Sequence, residues 1–169
     1  MSEIHVCDLD SLLAVSREAE PSHVVSLVRS DMAPDTPPGV APEGHLRLDV
    51  DDVTGPFDGA VPATRDDVAA LVEFVGSWSG ERPLVVHCAA GVSRSMAAAL
   101  VIAAAHSGQV DDEFARRLRA AAPHASPNPL MVRLGDEVLR CEGRLVAASE
   151  AMGPPDIAAV PMPISVSIS

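Results

Sequence analysis

Residues 83–105, "PLVVHCAAGVSRSMAAALVIAAA", constrain this chain more than any other stretch. A run of apolar residues opened by Pro83 stops at a loop of small residues and passes without a linker into an Ala-rich segment. The Leu and Val run suits a strand buried on both faces. The Ala-rich segment contains no Pro or Gly after Gly91 and has the residues of a helix with a small-faced surface that allows close approach to a sheet. A strand feeding directly into a helix commits the chain to a sheet with helices packed on it.

The remainder alternates in the same way. Residues 4–7, 23–28 and 45–50 ("IHVC", "HVVSLV", "HLRLDV") read as strands. Residues 11–20 read as a short helix that Pro21 ends, and Thr64 caps an amphipathic helix with Val68, Leu71, Val72 and Val75 on one face. After the Ala-rich helix, Asp111 or Asp112 starts a shorter one. Asn128 then caps a last helix with Pro129 at its first position. Residues 30–44, with four prolines and two glycines, and residues 51–63 read as irregular surface loops. The expected fold is α/β: a central, mostly parallel sheet of about four or five strands flanked by helices. Residues 1–146 form the domain. Residues 147–169, Pro-rich yet apolar, form an extension that either trails from it or lies extended across its surface.

Composition narrows the function classes. With 24 acidic residues against 12 basic ones, the net charge of −12 opposes a nucleic-acid backbone, and the absence of tyrosine leaves few rings for base stacking. No apolar run reaches the roughly 20 residues of a membrane span, and the acidic N-terminus lacks a signal-peptide pattern, so a cytoplasmic location is expected. Cys7, Cys88 and Cys141 are too widely spaced for a structural metal cluster, and their odd number argues against a disulfide framework. No cofactor or metal is expected.

The junction at residues 88–95 carries the chemistry. A helix starting right after a strand points its first unpaired amides at whatever sits in the loop. Ala89, Ala90, Gly91, Val92 and Ser93 are small enough for the loop to curl around one tetrahedral oxyanion, and Arg94 adds a planar fork for two oxygens. Cys88 stands at the base of that cradle, in an electropositive setting that favours thiolate over thiol and aims a nucleophile at bound phosphorus. Ser95 is placed to donate to the sulfur and ease its departure. His87 reads as structural support beneath the loop, and Asn128 as a helix cap.

"HCAAGVSRS" resembles the His-Cys-x5-Arg-Ser/Thr signature of the cysteine-dependent protein tyrosine phosphatase superfamily. The wider order of "HLRLDVDD", amphipathic helix, signature loop, helix and "SPNPLMVRLGDEVL" is similar to its compact dual-specificity branch over roughly residues 4–145, and most of all to predicted bacterial tyrosine phosphatases. The resemblance implies a phosphomonoester hydrolase, a protein phosphatase of tyrosine or dual specificity working through a phosphocysteine. Cys88 then falls on the nucleophile, Arg94 on the phosphate clamp and Ser95 on the hydroxyl. Its substrate would be a phosphorylated protein or a small phosphomonoester. The alternative is a phosphatase-like module that binds phosphate with little turnover.

The resemblance also implies a general-acid aspartate after the strand preceding the amphipathic helix. Asp49, Asp51, Asp52 and Asp58 are the candidates. Asp52, just beyond the "HLRLDV" strand and 36 residues ahead of Cys88, is favoured; Asp49 falls within the strand. A hard-cation site at "DVDD" is the competing use of these carboxylates. Cys7 reads as a core residue, with a reversible disulfide to Cys88 as its alternative. The loop has no lysine, which lowers phosphoinositides and polyphosphates as substrates.

Overall fold

The computed structural model describes residues 1–168. Four parallel strands, Ser2–Asp8 (β1), His23–Leu27 (β2), His45–Leu48 (β3) and Leu84–Cys88 (β4), are joined at one edge by an antiparallel strand, Ile164–Ile168 (β5), in the order β3-β2-β4-β1-β5. All five residues of β4 are buried, as expected for a strand with neighbours on both sides and layers above and below. The helices are Leu12–Ala19 (α1), Arg65–Val75 (α2), Arg94–Ser107 (α3), Asp112–Ala121 (α4), Pro129–Leu139 (α5) and Arg144–Ala151 (α6).

Strand alternation divides the core in two. Ile4, Val6, Val25, Leu27, Leu84, Val86 and Cys88 point into the larger half, with α2, α3 and α5. Cys7, Val24 and Val85 point the other way, under Leu12 of α1 and Val40 of the Pro-rich loop. That loop therefore does more than cross the surface: Pro37 and Val40 are buried and help roof the second face. The α3 helix is buried from Arg94 to Ala104, because its alanines let it sit close against the sheet and neighbouring helices at once.

Three sequence expectations change here. Cys7 stands opposite His87 and Asp8 opposite Cys88 in the β1–β4 ladder. Cys7 and Cys88 consequently face opposite sides of the sheet, which removes the geometry of a disulfide between them. Burial, with help from Asp8 and Cys88, pushes the Cys7 thiol up to about 12, so it stays protonated. The expected boundary at residues 146 and 147 falls inside α6, and the extension supplies β5, which pairs with β1 from Ser2↔Ile168 to Val6↔Ile164. Lastly, β3 stops at Leu48, leaving Asp49 just outside the strand. No helix among the described residues is long and apolar enough to cross a membrane.

Candidate active site

The carboxyl ends of β1 to β4 open at one rim of the sheet, where parallel α/β folds place their ligand sites. At that rim the loop 89–93 runs from β4 into α3. Three of its carbonyls are taken by donors outside the loop: Leu9 N donates to Ala89 O (3.3 Å), Ser126 N to Val92 O (2.9 Å), and Ala97 N and Asn128 N to Ser93 O (3.0 and 3.2 Å). The Gly91 amide donates to Cys88 Sγ at 3.3 Å, and the amides of Ala90, Val92 and Ser93 meet no backbone carbonyl among the described residues. Gly91 itself has φ +69°, and a Cβ there would lie 2.9 Å from the Asp8 nitrogen and the Cys7 carbonyl carbon, so only glycine lets the loop press against the end of β1.

Cys88 is 2% exposed, and Ser95 Oγ lies 3.1 Å from its sulfur. Arg94 is 9% exposed. One of its terminal nitrogens donates to Val50 O (2.9 Å), whereas its Nε–H is buried without an acceptor. A buried guanidinium donor left unpaired carries a cost that an anion at the loop would relieve.

The four candidate aspartates separate by their partners. Asp49 Oδ1 accepts from Arg29 Nε and Ser30 N, both at 2.9 Å. Asp51 Oδ2 accepts from Arg29 Nη1 (2.9 Å) and Val61 N (2.8 Å). The Val61 amide and the Arg29 guanidinium hold the Asp51 carboxyl below its ordinary value, which suits a latch and opposes proton donation. Arg29 thus occupies the place a hard cation would need between the two carboxylates. Asp58 is exposed in a turn. Asp52 Oδ1 accepts from Ser93 Oγ (2.7 Å) and Asn128 Nδ2 (2.9 Å), which brings it to the rim of the loop that holds Cys88.

Asn128 does more than the cap expected of it. Its Oδ1 accepts from Met131 N in the first turn of α5 while its Nδ2 reaches Asp52 Oδ1 and Val53 O, so one amide fixes both a helix start and the acidic loop. Residues 122–128, which brace the signature loop, carried no signal in the sequence beyond that cap. His124, on this brace, is 5% exposed, and burial lowers its pKa, partly offset by the Gly91 carbonyl.

His87 is fully buried and begins a hydrogen-bond chain beneath the loop. Its Nδ1–H donates to Cys88 O (3.3 Å), so Nε2 accepts from the Ser26 hydroxyl (2.6 Å). Ser26 Oγ accepts from His45 Nε2–H (2.7 Å), and His45 Nδ1 accepts from the Thr36 hydroxyl (3.0 Å). Each proton has an acceptor only while both imidazoles are neutral. Burial, with Arg47 and His87 adding to it, lowers His45 to about 4, and burial lowers His87 as well. Because the unfolded chain protonates His45 near its ordinary 6.5, the unfolded state gains protons first on acidification. Stability contributed by the chain is complete above pH 6.5 and is lost as the pH falls toward 4, by about 2 kcal/mol at pH 5. Asp51 loses its own contribution only below the ordinary carboxylate value of 3.8. Urea unfolding at pH 7 and pH 5 should show the drop, and His45→Asn should flatten it; equal midpoints at the two pH values would contradict the neutral chain.

A thiol at the floor of the loop, with a buried arginine beside it and the whole set at the carboxyl rim of a parallel sheet, is the arrangement that the resemblance to cysteine-based phosphatases implies. Comparison with known proteins agrees. Residues 53–119 match the protein-tyrosine phosphatase family profile. Human DUSP28 superposes with a TM-score of 0.61 at 20% identity over 81% of this chain and 88% of its own. A PTP-2 phosphatase of Cydia pomonella gives 0.57 at 23% identity over 79% and 84%, and the human tyrosine phosphatase-like serine/threonine/tyrosine-interacting protein gives 0.60 at 20% identity over 79% and 89%. No curated protein sequence matches the chain. Residues 53–119 are thus similar to the protein-tyrosine phosphatase family, and the chain has the fold of the dual-specificity phosphatases.

Proposed function

We propose that the chain hydrolyses phosphomonoesters on proteins through a phosphocysteine, with Cys88 as nucleophile, Arg94 and the loop amides as the oxyanion cradle, and Asp52 as general acid and base. The observation that carries this reading is the convergence of the Gly91 amide and the Ser95 hydroxyl on Cys88 Sγ beside the unpaired Nε–H of Arg94. In the first step the thiolate attacks phosphorus, the ester P–O bond breaks, and Asp52 gives its proton to the leaving oxygen. Amides and guanidinium hold the equatorial oxygens while charge spreads over them. In the second step water attacks phosphorus, Asp52 takes its proton, and the S–P bond breaks with Ser95 donating to the departing sulfur. Asp52 must leave Ser93 or Asn128 far enough to reach the ester oxygen. Both are side-chain bonds at the rim, which leaves the carboxylate free to change partner without unfolding any element. The three free cysteines fit work in the reducing cytoplasm.

Asp52→Asn tests the acid. It should slow phenyl phosphate, whose leaving group needs a proton, by about 10²–10³-fold, and 4-nitrophenyl phosphate much less. Equal rates for the variant and the unmutated protein on phenyl phosphate would move the role to Asp58 or Asp51. If the unmutated protein binds phosphopeptides and turns over neither ester, the chain is instead a binding module.

A further inference from the structure

The outer surface is not uniformly polar. Seven large apolar side chains are exposed, and six of them, Leu13, Met32, Phe57, Ile157, Val160 and Met162, lie on segments that follow β1, β2 and β3 or precede the antiparallel β5. Those segments leave or approach the sheet at its carboxyl rim. Exposed apolar side chains on neighbouring segments are candidates for an interaction face.

Within this rim, a groove of about 350 Å³ runs between Leu9, Leu12 and Leu13 on one wall and residues 34–38 on the other. It adjoins the candidate active site in two ways. Leu9 N donates to Ala89 O of the signature loop, and Thr36 in the opposite wall ends the hydrogen-bond chain that starts at the Cys88 carbonyl. The groove carries an acidic group: Asp35 lines it, Asp10 and Asp31 lie next to or near its lining residues in the chain, and none of the three has a salt-bridge partner among the described residues. Arg47 is spent on Pro34 O and Thr36 Oγ1.

Resting on phosphate capture by the Cys88 loop, we propose that this groove receives the residues flanking the phosphorylated side chain of a protein substrate, one apolar and one basic. Leu12, Leu13 and the prolines bury the apolar residue; Asp35 faces the basic one. An anionic bilayer meets the same acidic rim and a chain of net charge −12, and is repelled. A second copy of the chain brings equally acidic surface.

Two phosphotyrosine peptides of one length test this, one with Leu and Lys beside the phosphotyrosine, the other with Glu at both places. Their affinities are measured calorimetrically on the full chain carrying Cys88→Ser, and their kcat/KM on the full chain with Cys88 present. The Leu/Lys peptide should bind about tenfold more tightly and show the same ratio in kcat/KM. Leu13→Gln and Asp35→Lys, both at exposed positions, should each remove most of that preference. Equal affinities, preference for the Glu peptide, or a ratio untouched by either substitution would overturn the proposal. Cosedimentation with phosphatidylcholine vesicles that Leu13→Gln abolishes would give the groove to a lipid surface and overturn it too. Absent turnover of both peptides and of 4-nitrophenyl phosphate, with the binding preference intact, would overturn the hydrolase reading and leave the groove standing.

Discussion

Cys88→Ser is expected to abolish hydrolysis of aryl phosphates and phosphopeptides, with a loss of about 10⁴-fold or more. The cause is the difference between the two nucleophiles: sulfur attacks phosphorus more readily than a serine hydroxyl in the same place and is the better leaving group when water later attacks the phosphoenzyme. No side chain beneath the loop is placed to activate a serine hydroxyl, because His87 is committed to the Cys88 carbonyl and Ser26. Binding is expected to survive, since the cradle is built from backbone and Arg94. Calorimetry with inorganic phosphate should therefore give similar affinities for Cys88→Ser and the unmutated chain. Turnover by the serine variant within a factor of ten of the unmutated chain would remove the phosphocysteine mechanism.

Arg94→Lys is the second large loss, about 10²–10³-fold in kcat. Arg94 performs two tasks from one planar group: it donates to Val50 O, two residues before Asp52, and keeps its Nε–H free at the signature loop. An ammonium on a flexible stem holds one of these positions at a time. If it stays with Val50, the phosphate loses its fork; if it turns to the phosphate, the Val50 carbonyl, just beyond β3, is left without its donor and the acidic loop loosens. Both routes lower kcat more than they raise KM, because the transition state spreads charge over the oxygens the fork would hold. Phosphate affinity and the leaving-group dependence should change together in this variant. Preserved kcat with a raised KM would reduce Arg94 to a substrate-binding residue.

The parts that could be read in advance are those set by neighbours in the chain. The strand, loop and helix of 83–105 follow from a run of apolar residues, one glycine and an uninterrupted Ala-rich segment, each acting on its own backbone. The cap at Thr64 and the helix start at Asn128–Pro129 are equally local, and both occur. Expectations that required knowing which strand lies beside which were less secure. The pairing of β1 with β4 in the Cys7↔His87 register sends the two thiols to opposite faces, and no local pattern contains that register. The "ISVSI" segment alternates like a strand, yet its place on the open edge of β1 depends on residues more than 150 positions away.

The same distinction runs through the site. The sequence alone determined that a thiol, an arginine and a hydroxyl would meet at a strand-to-helix junction, because eight consecutive residues contain them all and the helix start dictates where its amides point. Tertiary structure alone decided which aspartate lies at the rim of the loop. Asp49, Asp51 and Asp52 differ little in sequence, but Arg29 draws the first two away, and Ser93 and Asn128, 41 and 76 positions distant, hold the third at the loop. Carboxylates three residues apart are chemically equivalent until the fold supplies different donors to each, and those donors are brought up by strand order and helix packing, which act over the whole chain.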